Sequence, residues 1–359
     1  MRDSLFTIAF LVMSSVAAAQ DKPGFVSSPR RLWTAPELTG ASDEWITNSL
    51  AWSDYVLAKH PPAGPETPVR RAALIRIDDV LHIEPAPKNP IVQRWYRERM
   101  SRVLSEIEST RVTSGVRIWK LYDHGFVVRT PSVTYAHDIV PGPPTDGKRG
   151  WEAMTVDAAW IERFARQVDV MLISHWHHDH ANPAVVAALL KQGKTVVGPQ
   201  GLAQDRAEFA APEFAGIVYP RRSISEVHQI GKLKVVAYPG HQGVPIINNV
   251  HLVTTPEGFT TVHTGDQSND DDFAWLTNIG AQHRVDVLFP NCWTNDLPRL
   301  ARGVHPRWII PGHENEMAHT VPHREDFTQT YNRLWGAPYP YFVMMWGESV
   351  ELPFEGKRP

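Results

Sequence analysis

Apolar residues along this 359-residue chain fall into three successive patterns. The first is a nearly unbroken run over residues 5–16, interrupted only by Thr7, Ser14 and Ser15. Arg2 precedes it, and Ala17-Ala18-Ala19-Gln20 follows. A positive start, a short apolar centre and an A-x-A site predict a secretory leader over residues 1–19 and a mature chain beginning near Gln20. The run is shorter than the ~20 apolar residues needed to cross a bilayer. The expected destination is therefore secreted or periplasmic, with no transmembrane anchor after cleavage. The second pattern has helical spacing. It covers residues 43–59 and again 90–112, where Ile91, Trp95, Met100, Val103, Leu104 and Ile107 recur on one side and Pro90 suits a first helical position. Residues 20–114, rich in proline before the second helix, read as an N-terminal extension packing on a core.

The third pattern starts at Val116 and continues to the end, which bounds a second domain at 115–359. VRIWKLY (116–122), GFVVRTP (125–131) and SVTYAHDIV (132–140) are β-rich. A helical stretch follows over 156–168. Residues 168–174 (VDVMLIS) form a nearly continuous apolar run, as a strand buried on both faces requires, and the run ends on His175. Asn182 and Pro183 then suit the cap and first position of a helix that Gly193 ends. Further strands are expected at 195–199, 233–239, 285–291 and 307–312. Segments 249–255 and 259–265 flank Pro256-Glu257-Gly258 as a hairpin. Strands and helices alternate without internal repeats, so the fold class is α/β. Metal-competent side chains follow strand ends, where α/β folds assemble their ligand sites.

Composition narrows the function classes. Hydrophobic residues make up 42%, charged residues 21%, and net charge is −3. This is globular composition without the basic surface that a nucleic-acid partner calls for. The basic run at 94–102 reads as the solvated face of a helix. The single cysteine, Cys292, makes no internal disulfide, and with no cysteine after the leader the chain is not a lipoprotein.

The chemistry concentrates in Ser174-His175-Trp176-His177-His178-Asp179-His180. His175 and His177 are spaced to reach one ion, and Asp179 and His180 to reach a second a few ångströms away. Dinuclear hydrolytic sites hold their ions roughly 3.5–4 Å apart, so one loop can serve both. Unpaired imidazoles and carboxylates are costly to bury, which makes a packing role a poor explanation of the cluster.

The H-x-H-x-D-H pattern at 175–180 resembles the signature of the metallo-β-lactamase fold superfamily. Later residues fit the order of that family: His241 in PGHQG, Asp266 in HTGD and His313 in PGHE. The resemblance covers about residues 115–350. It is most similar to the branch of the ascorbate-phosphate lactonases and the N-acyl phospholipid phospholipase D-like enzymes. It implies a four-layer αβ/βα sandwich carrying an N-terminal extension. It also implies that His175, His177 and His241 hold a first ion, that Asp179, His180 and His313 hold a second, and that Asp266 bridges them. Nitrogen and carboxylate donors without thiolate suit zinc; manganese or iron fits the same set. His177, where flavodiiron-type relatives have Glu, argues against a redox di-iron role. Ala181-Asn182, where glyoxalase-like members have Gly, argues against that branch.

The expected activity is metal-dependent hydrolysis of a small ester, lactone or amide by a hydroxide that two ions activate, with Asp179 as general acid/base. The alternatives are a phospholipase D-like phosphodiesterase and a non-enzymatic binding protein on the same fold. Asp138 is a candidate for holding a ligating histidine from behind. Trp176, His124, Tyr122 and Trp293 are candidates for a pocket wall. His319 and His323 would share a face if helical, binding substrate anions or a further ion or simply facing solvent.

Overall fold

The computed structural model describes residues 42–84, 86–143 and 154–354. The leader expected over residues 1–19 lies outside them. Three helices come first: α1 (Asp43–Lys59), α2 (Pro68–Leu81) and α3 (Pro90–Ser109). Each begins on a side-chain cap, with Ser42, Thr67 and Asn89 accepting from the first free backbone N–H groups. The spacing at 43–59 and 90–112 anticipates α1 and α3 but not α2. The apolar period of α2 is broken by two buried charged residues that serve as tertiary ties. Arg70 donates to both carboxylate oxygens of Glu348 (2.8 and 2.7 Å). Asp78 accepts from Asn315 Nδ2 (2.9 Å) and from the Phe327 N–H (2.8 Å).

Strands β1 (Val116–Lys120), β2 (Phe126–Arg129), β3 (Thr134–His137), β4 (Val170–Leu172) and β5 (Thr195–Val197) build one sheet. Strands β6 (His228–Ile230), β7 (Leu233–Gln242), β8 (Ile246–Thr254), β9 (Thr260–His263), β10 (Val285–Phe289) and β11 (Pro306–Ile309) build the other. The last strand, β12 (Glu348–Leu352), returns to the first sheet, giving the orders β12-β1-β2-β3-β4-β5 and β11-β10-β9-β8-β7-β6. Period-two alternation separates two cores. Phe126 and Val128 meet Val235, Val253 and Phe289 between the sheets. Val127 faces the other way, into the cluster that includes Phe164 and Leu189. Those two residues belong to the outer helices α4 (Ala158–Gln167) and α5 (Pro183–Lys191). The short α6 (Leu202–Asp205) follows β5. Helices α7 (Phe273–Leu276) and α8 (Ile279–Gln282) pack on α9 (Leu297–Val304), which lies against β10 with Leu300 and Val304 in the same cluster as Leu288, and α10 (Phe327–Leu334) packs on α9 and α2. This is the four-layer αβ/βα sandwich. Among the described residues no helix is long and apolar enough to cross a membrane.

Two corrections concern residues singled out above. The strand expected to end at Pro239 continues through Gln242, so His241 lies inside β7 and pairs with Ile247 of β8. A turn at Gly243, with φ of 57°, folds the chain straight back into a long hairpin. His319 and His323 do not share an α-helical face. A 3₁₀ turn, Val321–His323, forms there, with Pro322 in its opening turn.

Candidate metal centre

Strand β4 is paired on both sides, by β3 and β5 in parallel, and delivers the histidine loop at its C-terminal end. The loop is fastened from below by Asp138. Its carboxylate accepts from the Ser174 N–H (2.7 Å), the Ser174 hydroxyl (2.6 Å) and His180 Nδ1 (2.8 Å). Ser174 Oγ also lies 3.0 Å from His175 Nδ1. Past the end of β9, Gly265 has φ of 52°, and a Cβ there would stand 2.2 Å from Asn248 Oδ1 and 2.5 Å from Ser174 Cβ. Only glycine permits that approach, which brings Asp266 against the loop. The Asp266 N–H donates to Asn248 Oδ1 (2.9 Å), and Asp266 Oδ1 accepts from Asn291 Nδ2 (2.7 Å). His313 follows β11 in a left-handed conformation, with φ of 75°.

The outcome is convergence on one atom. Asp266 Oδ2 lies 3.6 Å from His175 Nε2, 3.2 Å from His180 Nε2 and 3.4 Å from His313 Nε2. All three nitrogens are buried without a hydrogen-bond partner. In His175 and His180 the opposite ring nitrogen is already engaged, and Trp293 Nε1 stands 3.3 Å from His313 Nδ1. A buried, partnerless imidazole nitrogen facing carboxylates suits a divalent cation. Among the described residues the ligand-competent atoms fall into three groups, each within 4.8 Å: His175, His177 and Asp266; Asp123, Asp179, His180 and His313; and His124, Asp138 and His180, in which Asp138 already holds His180 Nδ1. Asp179 Oδ2 is 3.3 Å from both His180 Nε2 and His313 Nε2.

Electrostatics sharpen the same picture. Burial and the neighbouring His180 push the His175 pKa down to about 3, leaving a neutral ring fit to ligate. Burial opposes charge on His180 and His313 as well. There the surrounding carboxylates outweigh it and hold both pKa values well above the usual. Asp179, partly buried, and Asp266, fully buried, are both held well below the usual carboxylate range, chiefly by His180, with His313 adding to it. The field in this site favours positive charge.

The other expected residues divide. His241 is oriented by Asp272, which accepts its N–H (2.8 Å) and meets Nδ1 (2.9 Å), leaving Nε2 as the available donor. His241 nevertheless falls in none of these groups of close ligand atoms. His124 and Tyr122 are buried behind the site and are not in the wall of the cavity that opens over it. The His124 ring instead packs at 4.1 Å on His263, which stacks at 4.4 Å on His137. Trp176 packs against the core. A cavity of about 1120 Å³ opens over Asp179, Asp266 and His313, and His319, His323 and Trp293 are in its wall. Glu84 and Lys88 reach that wall from the segment between α2 and α3, so the connection between these N-terminal helices takes part in shaping it. Sequence reasoning missed Asp123, Asp272 and Asn291, none of which stands in a recognisable spacing.

No family model matches the sequence, and no curated protein matches it. Solved structures do. Igni18, a metallo hydrolase from the archaeon Ignicoccus hospitalis, aligns at 17% identity and TM-score 0.51, over 67% of this chain and 100% of its own. A possible metal-dependent hydrolase from Veillonella parvula aligns at 13% identity and TM-score 0.50, again over 67% of this chain and 100% of its own. The metallo-β-lactamase fold protein YhfI from Bacillus subtilis aligns at 14% identity and TM-score 0.47, with the same coverage. At these identities the likeness is one of fold.

Proposed function

We propose that this chain, whose two-sheet sandwich aligns with solved metal-dependent hydrolases, is a metal-dependent hydrolase of a small ester, lactone or amide. The observation that carries this reading is the convergence of three buried, partnerless Nε2 atoms on Asp266 Oδ2 at the floor of a cavity. His175, His177 and Asp266 would hold one ion, and Asp179, His180 and His313 the other. His241, directed by Asp272, would complete the first position. Such ions supply Lewis acidity and a water of lowered pKa.

The chain's own residues do the rest. Asp138 and Ser174 fix the tautomers of His180 and His175, so that each presents Nε2 inward. Asp179, with a side chain 13% exposed, keeps contact with the cavity and can carry a proton between the attacking water and the leaving group. Burial alone would lower the pKa of His319, but Glu325 and Glu316 raise it. This cavity-facing imidazole is therefore suited to donate to an oxygen that gains negative charge.

The test is a panel of p-nitrophenyl esters, lactones, an anilide and bis-p-nitrophenyl phosphate, run with metal-loaded protein. Chelator-sensitive turnover of an ester, lactone or amide is expected. Turnover confined to the phosphodiester would replace this reading with the phosphodiesterase one, and inactivity throughout would favour a binding protein.

A further inference from the structure

Asp123 lies in the tight connection between β1 and β2, where the Gly125 N–H donates to the Tyr122 carbonyl (3.0 Å). Its backbone is left-handed, with φ of 56°, and its own carbonyl accepts the His313 N–H (3.2 Å). The side chain is 0% exposed, and neither carboxylate oxygen has a hydrogen-bond partner. Buried carboxylates are paired or bind metals. The directions of the two oxygens are informative. Oδ2 stands 3.8 Å from His180 Nε2, the nitrogen that also faces Asp179 and Asp266. Oδ1 stands 3.5 Å from His313 Nδ1, on the side of that ring away from Asp266. Asp123 does not line the cavity.

We propose that Asp123 Oδ2 is a protein ligand of the second ion, approaching it from the side opposite the substrate. The proposal rests on the two-ion reading above. It gives the second position two imidazoles and three carboxylates, counting the shared Asp266. The first position has His175, His177 and Asp266, with His241 adjoining. The second position is therefore the harder donor set and favours oxygen-seeking ions more than the first does.

The experiment is a cobalt(II) titration of the wild type and of Asp123→Asn, followed by equilibrium dialysis and by the visible d–d band. Asparagine suits the left-handed backbone and nearly preserves shape. The wild type should bind two ions. The variant should bind one tightly and the second more than 100-fold more weakly, and the residual band of the second ion should shift, because a neutral amide oxygen replaces a charged carboxylate at that ion. A residue that only orients His313 would weaken binding by about 10–100-fold and leave the band unchanged. That result, or two tight ions in the variant, overturns the proposal while sparing the two-ion reading. A wild type that binds fewer than two overturns both. Should Asp123→Asn not fold, the zinc-loaded wild-type crystal decides. An Oδ2–ion distance of about 2.0–2.2 Å is expected, and an oxygen outside direct contact contradicts the proposal.

Discussion

Asp179→Asn is expected to lower kcat by about 10²–10⁴-fold at saturating metal, the usual contribution of a positioned acid/base, with thermal unfolding close to wild type. Asp179 Oδ2 sits 3.3 Å from both His180 Nε2 and His313 Nε2, and the side chain keeps 13% of its surface open toward the cavity. Asparagine still offers an oxygen to an ion in that place, but it carries no proton at any working pH. The loss should therefore fall on kcat more than on KM. Steady-state kinetics on the best substrate of the panel, paired with a circular-dichroism melt, checks this. Full activity in a folded variant would remove Asp179 from proton transfer.

Lys120→Met is expected to cost about 3–5 kcal/mol of folding stability, as does breaking a buried pair from one side. Lys120 and Glu314 are both 0% exposed and ion-paired. Lys120 Nζ also donates to the Pro311 carbonyl (3.2 Å), and Glu314 Oε1 accepts from Thr330 Oγ1 (3.0 Å). Removing the lysine leaves the Glu314 charge buried and unpaired, next in the chain to His313. Typical domains have only about 5–15 kcal/mol to lose, so the effect is large. The double variant K120M/E314Q should be markedly less destabilised than Lys120→Met alone. Urea unfolding of the three proteins measures both effects, and a double variant as unstable as the single one would contradict this account of the pair.

The parts of this protein legible in its sequence are those where one local rule dominates. The apolar run before His175 fixes a doubly buried strand, and Asn182-Pro183 fixes the helix after it, so the loop between them had to be 175–181. Asp266 and His313 are readable because each follows a β-run in the order that the resemblance implies. Helix α2 was hidden because Arg70 and Asp78 sit on its buried side, and their partners, Glu348 and Asn315, lie more than two hundred residues away. Asp272, which aims His241, stands in Asn-Asp-Asp-Asp, a run that looks like a solvated turn. Asp123 looks like an ordinary residue in a tight β-turn. Its significance comes from His180 and His313, which the fold brings to it from distant loops. Local spacing identifies residues that share an ion from within one loop; it carries no signal for Asp123 and Asp272, whose partners the fold brings to them from elsewhere in the chain.

Every role assigned above depends on two ions sharing Asp266. The most direct measurement is anomalous diffraction from a crystal loaded with zinc or cobalt and recorded across the metal edge. Two peaks are predicted on either side of Asp266 Oδ2, one beside His175 and His177 and the other beside Asp179, His180 and His313. A fully loaded crystal with a single peak, or with peaks away from Asp266, would contradict it.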